Sequence, residues 1–382
     1  MVNGGLVVLT SPLRVMVPIV KVVGDFCNLR CSYCFYNAKD QLTPQCMSEK
    51  LLEQFLSQYL ELFSGHLFLI WHGGEPLLAG LRFFERILEL ETRYLTEGQT
   101  IKNAIQTNAT LVNDEWASFF KVHDFKVGVS LDGGLDSHDH FRKNHSGRGS
   151  FNQVMRGVET LQRHGIQPGF IQTLTHDNTT HVKEDFNFFA NVLGVKRWGA
   201  NDFLGVDAVN KAMADQSITN AELTAFLKTY IDLWLVQDDG NLQIREIDNF
   251  TAGVLGKRSS SCTFNGACTS YFCLEYDGEI YPCDRLSNRA ELLLGDLSSQ
   301  PLLDILNGPV RLKYAEDVDA LHPDCAVCEW QKACHNGCTA NRVGDVRGKY
   351  YFCETRKAVF DYLRSKLGQF KGEPSFSTQT PI

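Results

Sequence analysis

Apolar positions along residues 16–236 switch repeatedly between two periods. Short runs rich in apolar and β-branched residues at 17–23, 66–71, 101–106, 126–131, 168–174 and 195–200 predict strands. Between them, apolar residues spaced by three and four predict helices over 48–63, 83–94, 114–120, 151–164, 181–193 and 221–236. In the first helix Leu51, Leu52, Phe55 and Leu62 share a face. Gly165 and Gly194 stand where helices stop, and Thr219 with Glu222 three residues on forms a capping box. Six strand and helix units in alternation call for parallel strands joined by right-handed crossovers, an α/β fold most economically closed as a partial (β/α)6 barrel. Chemistry in such a barrel belongs at the C-terminal ends of its strands.

Composition narrows the class. The 382 residues, 43% of them hydrophobic, suffice for one large domain and a smaller one. No apolar run approaches the roughly 18 residues of a spanning helix, and residues 1–12 lack a basic-then-apolar targeting pattern. A cytoplasmic protein without a membrane partner is expected. The net charge of −8, from 45 acidic and 37 basic residues with no Lys/Arg block, argues against a nucleic-acid surface. Thirteen cysteines in a reduced cytosolic chain of this size point to metal rather than to disulfides.

The cysteines fall into two groups more than two hundred residues apart, Cys27 to Cys46 and Cys262 to Cys353. Cys27-x3-Cys31-x2-Cys34 sits on the loop after the first strand, where three thiolates can hold three corners of a four-iron cluster and leave one iron open; a zinc knuckle short of a ligand is the alternative. Gly73-Gly74-Glu75-Pro76 ends the second strand, and its glycines allow close backbone approach to a ligand. Ser130 ends the fourth strand and Arg142 follows. Asp277-Gly278, between 271–276 and 279–283, signals a hairpin that draws Cys268 towards Cys283. Cys262, Cys268, Cys283, Cys325, Cys328, Cys334, Cys338 and Cys353 suffice for two further four-iron clusters, although zinc suits the 325–338 spacing equally well. Cys46 and Cys273 are left over and are expected as small buried hydrophobes.

The first cysteine triad, with Tyr33 before its last member, resembles the signature of the radical S-adenosylmethionine superfamily. The spacing from Cys268 to Cys353 resembles its SPASM extension. Across nearly the whole chain, stretches such as Cys-Asn-Leu-Arg-Cys-Ser-Tyr-Cys-Phe-Tyr from Cys27, Gly-Gly-Glu-Pro-Leu-Leu-Ala-Gly from Gly73, Gln-Thr-Asn from Gln106, Gly-Lys-Arg-Ser-Ser-Ser-Cys from Gly256 and Pro282-Cys283-Asp284 resemble anaerobic sulfatase-maturating enzymes, which oxidise a cysteine or serine to formylglycine. The resemblance implies a TIM-like barrel over 16–236 after an N-terminal segment 1–15, a linker helix over 237–257, a small cysteine-rich SPASM domain over 258–358, and a C-terminal helix and tail over 359–382. It implies S-adenosyl-L-methionine and three [4Fe-4S] clusters as cofactors. The open iron at Cys27, Cys31 and Cys34 would hold the cofactor's amino and carboxylate groups, and an electron would cleave it to a 5′-deoxyadenosyl radical. Tyr33, Gly73, Gly74, Glu75 and Ser130 become cofactor contacts, Arg142 the partner of its carboxylate. The implied auxiliary pairing is Cys262, Cys268, Cys283 and Cys338 for one cluster, and Cys325, Cys328, Cys334 and Cys353 for the other. Asp284 becomes the general base. The implied partners are a peptide or protein substrate and a flavodoxin- or ferredoxin-type reductant.

Two places depart from that family. His72 stands where the maturases commonly carry glutamine, and 201–217, expected near the substrate, shows no clear match. His72 is open as a packing residue or as a substrate contact. Trp-His-Gly-Gly-Glu-Pro from Trp71 also resembles enzymes that crosslink ribosomally made peptides into cyclophanes or thioethers. Those often carry an added N-terminal peptide-binding domain, which is not expected with 26 residues before Cys27. The competing class, an iron-sulfur electron carrier or a zinc-held interaction module, does not account for Gly-Gly-Glu-Pro, Ser130 and Arg142 beside an open-coordinate motif.

Overall fold

The structure, a computed structural model, describes residues 15–38, 43–205, 215–287 and 289–370. Its first half alternates as expected: β1 (Val17–Lys21), α1 (Glu49–Leu62), β2 (His66–His72), α2 (Leu81–Tyr94), β3 (Thr100–Thr107), α3 (Asp114–Val122), β4 (Lys126–Ser130), α4 (Leu135–Phe141), α5 (Phe151–Arg163), β5 (Gly169–Leu174), α6 (Val182–Asn187), β6 (Arg197–Asp202) and α7 (Asn220–Gln237). Then come β7 (Gln243–Ile244), α8 (Arg245–Val254), β8 (Tyr271–Leu274), β9 (Glu279–Tyr281), β10 (Gly295–Asp296) and the C-terminal helix α9 (Cys353–Phe370). Strands β1 to β7 lie side by side in chain order and parallel, which is the partial barrel.

The cysteine-rich C-terminal part shares this sheet. Strand β8 pairs in parallel with β1, through Val17 with Tyr271 to Val20 with Leu274, and β9 and β10 extend the edge antiparallel. The Asp277-Gly278 hairpin forms, with Gly278 at φ 110°, and its strands are shorter than 271–276 and 279–283. Helix α1 presents Leu51, Leu52, Phe55, Leu56, Tyr59 and Leu60 inward, and Phe55 and Tyr59 meet Phe272 of β8. Each such buried side chain stabilises the fold by about 1.5–3 kcal/mol, so one helix welds barrel and hairpin.

Several expectations change. Residues 181–193 form no single helix: a 3-10 turn (Asp177–His181), α6 and a π-helical turn (Phe188–Val192) follow one another. The wide turn lets Phe186 and Phe189 both pack on Trp198, Phe189 stacked at 5.4 Å. The linker helix over 237–257 narrows to α8, because β7 takes the residues before it. The C-terminal helix begins at Cys353 rather than 359. Cys46 is exposed, against the expectation of a buried hydrophobe, whereas Cys273 is wholly buried in β8. Segments 1–14, 206–214 and 371–382 lie outside the described residues. Among those described, no helix is long and apolar enough to cross a membrane.

Candidate active site

The cysteine loop is held from two sides. Gly24, at φ 56°, turns the chain after β1, and the backbone of the Gly73-Gly74 pair presses against it. Gly74 N donates to Gly24 O at 2.8 Å and Glu75 N to Phe26 O at 2.9 Å. A Cβ on Gly74 would lie 2.0 Å from Phe26 O. These glycines bring the end of β2 into close backbone contact with the cysteine loop. On the other side Arg30 N donates to Lys143 O at 2.7 Å and Ser32 N to Phe141 O at 3.1 Å, docking the loop on the end of α4. Glu75 is buried and accepts from Thr107 Oγ1 and Asn108 N, both at 2.7 Å, and from Leu77 N at 3.1 Å, tying β2 to β3. Burial raises its carboxyl to about 7 against those hydrogen bonds.

Cys27, Cys31 and Cys34 line one cavity of about 610 Å³. Burial pushes the Cys31 thiol up to about 12, although Arg142 opposes it. Leu29 N lies 3.4 Å and Asn108 Nδ2 3.8 Å from Cys27 Sγ, donors aimed at a sulfur. Buried thiols this close resist ionising by themselves, and a bound metal would supply the positive charge that makes them ligands. Four sulfurs about one zinc sit about 3.8 Å apart. Among the described residues no group of three or more His, Cys, Asp or Glu side chains is gathered for a single ion. Three thiols on one short loop, lining one cavity, are a donor set that fits an iron-sulfur cube.

Across the cavity Ser130 Oγ accepts from Gln106 Nε2 at 3.0 Å. Arg142 is buried rather than solvated. Its Nε donates to Asp132 Oδ2 at 2.8 Å and its Nη2 to Oδ1 at 3.2 Å, while Thr173 N and the Tyr33 hydroxyl donate to the same carboxylate. Asp132 therefore joins the cysteine loop, β5 and the residue after α4. It lies in the Val-Ser-Leu-Asp-Gly stretch, yet a strand-end aspartate reads as a turn until the fold buries it.

The same cavity is lined by part of the second cysteine group. Cys262, Cys268, Cys283 and Cys338 all line it. Burial and the neighbouring thiols of Cys268 and Cys338 push Cys262 up to about 12. Cys325, Cys328, Cys334 and Cys353 lie outside that lining; burial, then Cys334 and Cys328, raise the Cys325 thiol, and Cys334 adds to burial at Cys353. Asp284 lines the cavity with its Oδ1 3.1 Å from Cys283 Sγ. His72 faces the same space; burial holds its imidazole below the ordinary value against the pull of Asp284. Tyr36 Oη lies 3.5 Å from His72 Nδ1, a neighbour absent from the sequence-based set. Beneath them Lys21 pairs with Asp25 at 2.9 Å and Glu275 at 2.7 Å, and these carboxylates keep it charged against the effect of burial. Asn201, Asp202 and Phe203 line the cavity where a substrate wall was expected.

A parallel partial barrel whose strand ends and three-cysteine loop face a second set of thiols across one cavity has the architecture of a radical S-adenosylmethionine enzyme. A family model described as the Radical SAM superfamily matches residues 22–189, and one described as an iron-sulfur cluster-binding domain matches 262–329. The chain is 31% identical over 386 residues to the serine-type anaerobic sulfatase-maturating enzyme of Bacteroides thetaiotaomicron, an alignment spanning 95% of this chain and 92% of the relative. It is 29% identical to the cysteine-type anaerobic sulfatase-maturating enzyme of Clostridium perfringens over 91% of this chain and 96% of that one. The solved structure of native anSMEcpe with bound AdoMet and Cp18Cys peptide superposes with a TM-score of 0.84 at 29% identity, covering 94% of this chain and 99% of the other. The chain belongs to the anaerobic sulfatase-maturating enzymes.

Proposed function

We propose that this enzyme oxidises a cysteine or serine side chain of a sulfatase to formylglycine. The observation that carries the reading is that the Cys27 loop, Ser130, Arg142 and Asp284 open into one cavity of about 610 Å³. Three [4Fe-4S] clusters are assigned to Cys27, Cys31 and Cys34; to Cys262, Cys268, Cys283 and Cys338; and to Cys325, Cys328, Cys334 and Cys353, all free cysteines. S-adenosylmethionine at the first cluster supplies the radical that takes a hydrogen atom from the substrate carbon. Arg142, with its plane fixed by Asp132, receives the cofactor carboxylate, while Tyr33, Gly73, Gly74, Glu75 and Ser130 shape its seat. Asp284 takes the thiol or hydroxyl proton, which eases loss of the remaining electron. His72 contacts the substrate beside Tyr36. A flavodoxin- or ferredoxin-type reductant in the cytoplasm supplies electrons, in keeping with the free cysteines.

The test is incubation of the reconstituted protein, under anaerobic reducing conditions, with S-adenosylmethionine and sulfatase peptides bearing cysteine or serine. Release of 5′-deoxyadenosine with a hydrazide-trappable aldehyde in one peptide is expected. A two-hydrogen loss without any trappable aldehyde, on a peptide of unchanged length, would replace this reading with crosslinking.

A further inference from the structure

Among the described residues, the second cysteine group has a cation at bonding distance from one of its sulfurs. Arg285 follows Asp284 on the short turn Asp284–Leu286 and lines the cavity. Its Nη1 lies 3.4 Å from Cys338 Sγ, and its Nη2 donates to Asn341 Oδ1 at 2.8 Å. Asn341 in turn donates through Nδ2 to Asp202 at the end of β6. The planar guanidinium is thereby anchored at one end while its other end meets the sulfur, so the donor is not free to swing towards water. Thr339 Oγ1, 3.8 Å from Cys268 Sγ, is a neutral donor to the same group.

Reduction adds negative charge to a cluster. A cation donating to a ligand sulfur favours the reduced state, and hydrogen bonds to sulfur and net charge are what a protein uses to set cluster potentials. We infer that Arg285 is a positioning residue that raises the reduction potential of the cluster at Cys262, Cys268, Cys283 and Cys338. The inference rests on the assignment of that cluster. In the reaction proposed above, the substrate carbon has lost a hydrogen atom and must still lose one proton and one electron. Asp284 takes the proton, and the adjoining cluster, made easier to reduce, takes the electron and passes from oxidised to one-electron reduced. The proton acceptor, a cluster ligand and the cation thus occupy consecutive positions 283–285.

The experiment is a redox titration followed by electron paramagnetic resonance on full-length, reconstituted protein in which Cys27, Cys31 and Cys34 are alanine, leaving the two auxiliary clusters. Arg285→Met is expected to move the reduction equilibrium of one cluster at least about tenfold towards the oxidised form, which for one electron is about 59 mV, and to leave the other unmoved. Arg285→Lys, which keeps the charge and loses the fork, should move the same cluster less. Asn341→Ala, which releases the fork, should move it in the same direction. Unmoved potentials at full iron content, or equal movement of both clusters, would overturn the role of Arg285 alone. Iron analysis tests the assignment separately: Cys283→Ala with Cys338→Ala should drop the content from about eight to about four irons, and an undiminished content defeats assignment and inference together. If Arg285→Met fails to retain iron, the two milder variants decide, a one-cluster shift supporting the role and none overturning it.

Discussion

Asp284 shows how much one position draws from its surroundings. By sequence it is an aspartate after a cysteine, as well suited to a turn as to catalysis. In the fold its carboxylate reaches the cavity beside Cys283, with His72 and Tyr36 close by. Asp284→Asn keeps the shape and removes the proton acceptor. Formylglycine formation should slow by roughly 10²- to 10⁴-fold, while 5′-deoxyadenosine is still released and iron content is unchanged. Aldehyde trapping and mass spectrometry read the first quantity; parent-like aldehyde formation would remove Asp284 from the chemistry. The candidate cluster cysteines stood out where their spacing is local, as in 27–34 and 325–338. Asp132, Tyr36 and Arg285 did not, since each meets a partner 36 to 99 positions away.

At the scale of elements, the joint between α2, β2 and β3 is polar as well as apolar. Trp71 Nε1 donates to Asn103 Oδ1 at 2.8 Å, and Asn103 Nδ2 donates to both oxygens of Glu91 at 3.0 and 3.1 Å. Burial raises Glu91 from 4.5 to about 7. The folded state then binds the proton more tightly than the unfolded chain, so this stabilisation is complete below pH 4.5 and fades as pH rises through about 7. Glu91→Gln stays neutral throughout. Between roughly pH 5 and pH 8 its stability should improve relative to the parent by up to about 3 kcal/mol, read from unfolding transitions at each pH. A gap independent of pH would show that Glu91 does not carry a proton in the folded state. The alternation itself was written in the local periodicity, as was the Thr219 and Glu222 capping box that opens α7. The breaks were not. The π turn before β6 answers to Trp198, and α4 is too short and polar to show a period.

Over the whole molecule, the three cysteine groups are expected to be separable in iron and in function. Changing Cys27, Cys31 and Cys34 together to alanine should remove about four of about twelve irons and abolish 5′-deoxyadenosine release. Unchanged release in that variant would defeat the placement of the open cluster. The sequence by itself determined the barrel class, the two cysteine-bearing regions and the strand-end position of the chemistry, because periodicity, spacing and turn residues act over a few positions. Tertiary structure decided that β8 joins β1, so that one sheet carries both regions and Asp284 and Arg285 line one cavity together with Ser130 and Arg142. It also decided that a side chain at Gly74 would collide with Phe26 of the cysteine loop. These outcomes depend on strand pairing and burial between residues up to 254 positions apart, as in the ion pair of Lys21 with Glu275, and no local pattern encodes which distant partner a buried charge will meet.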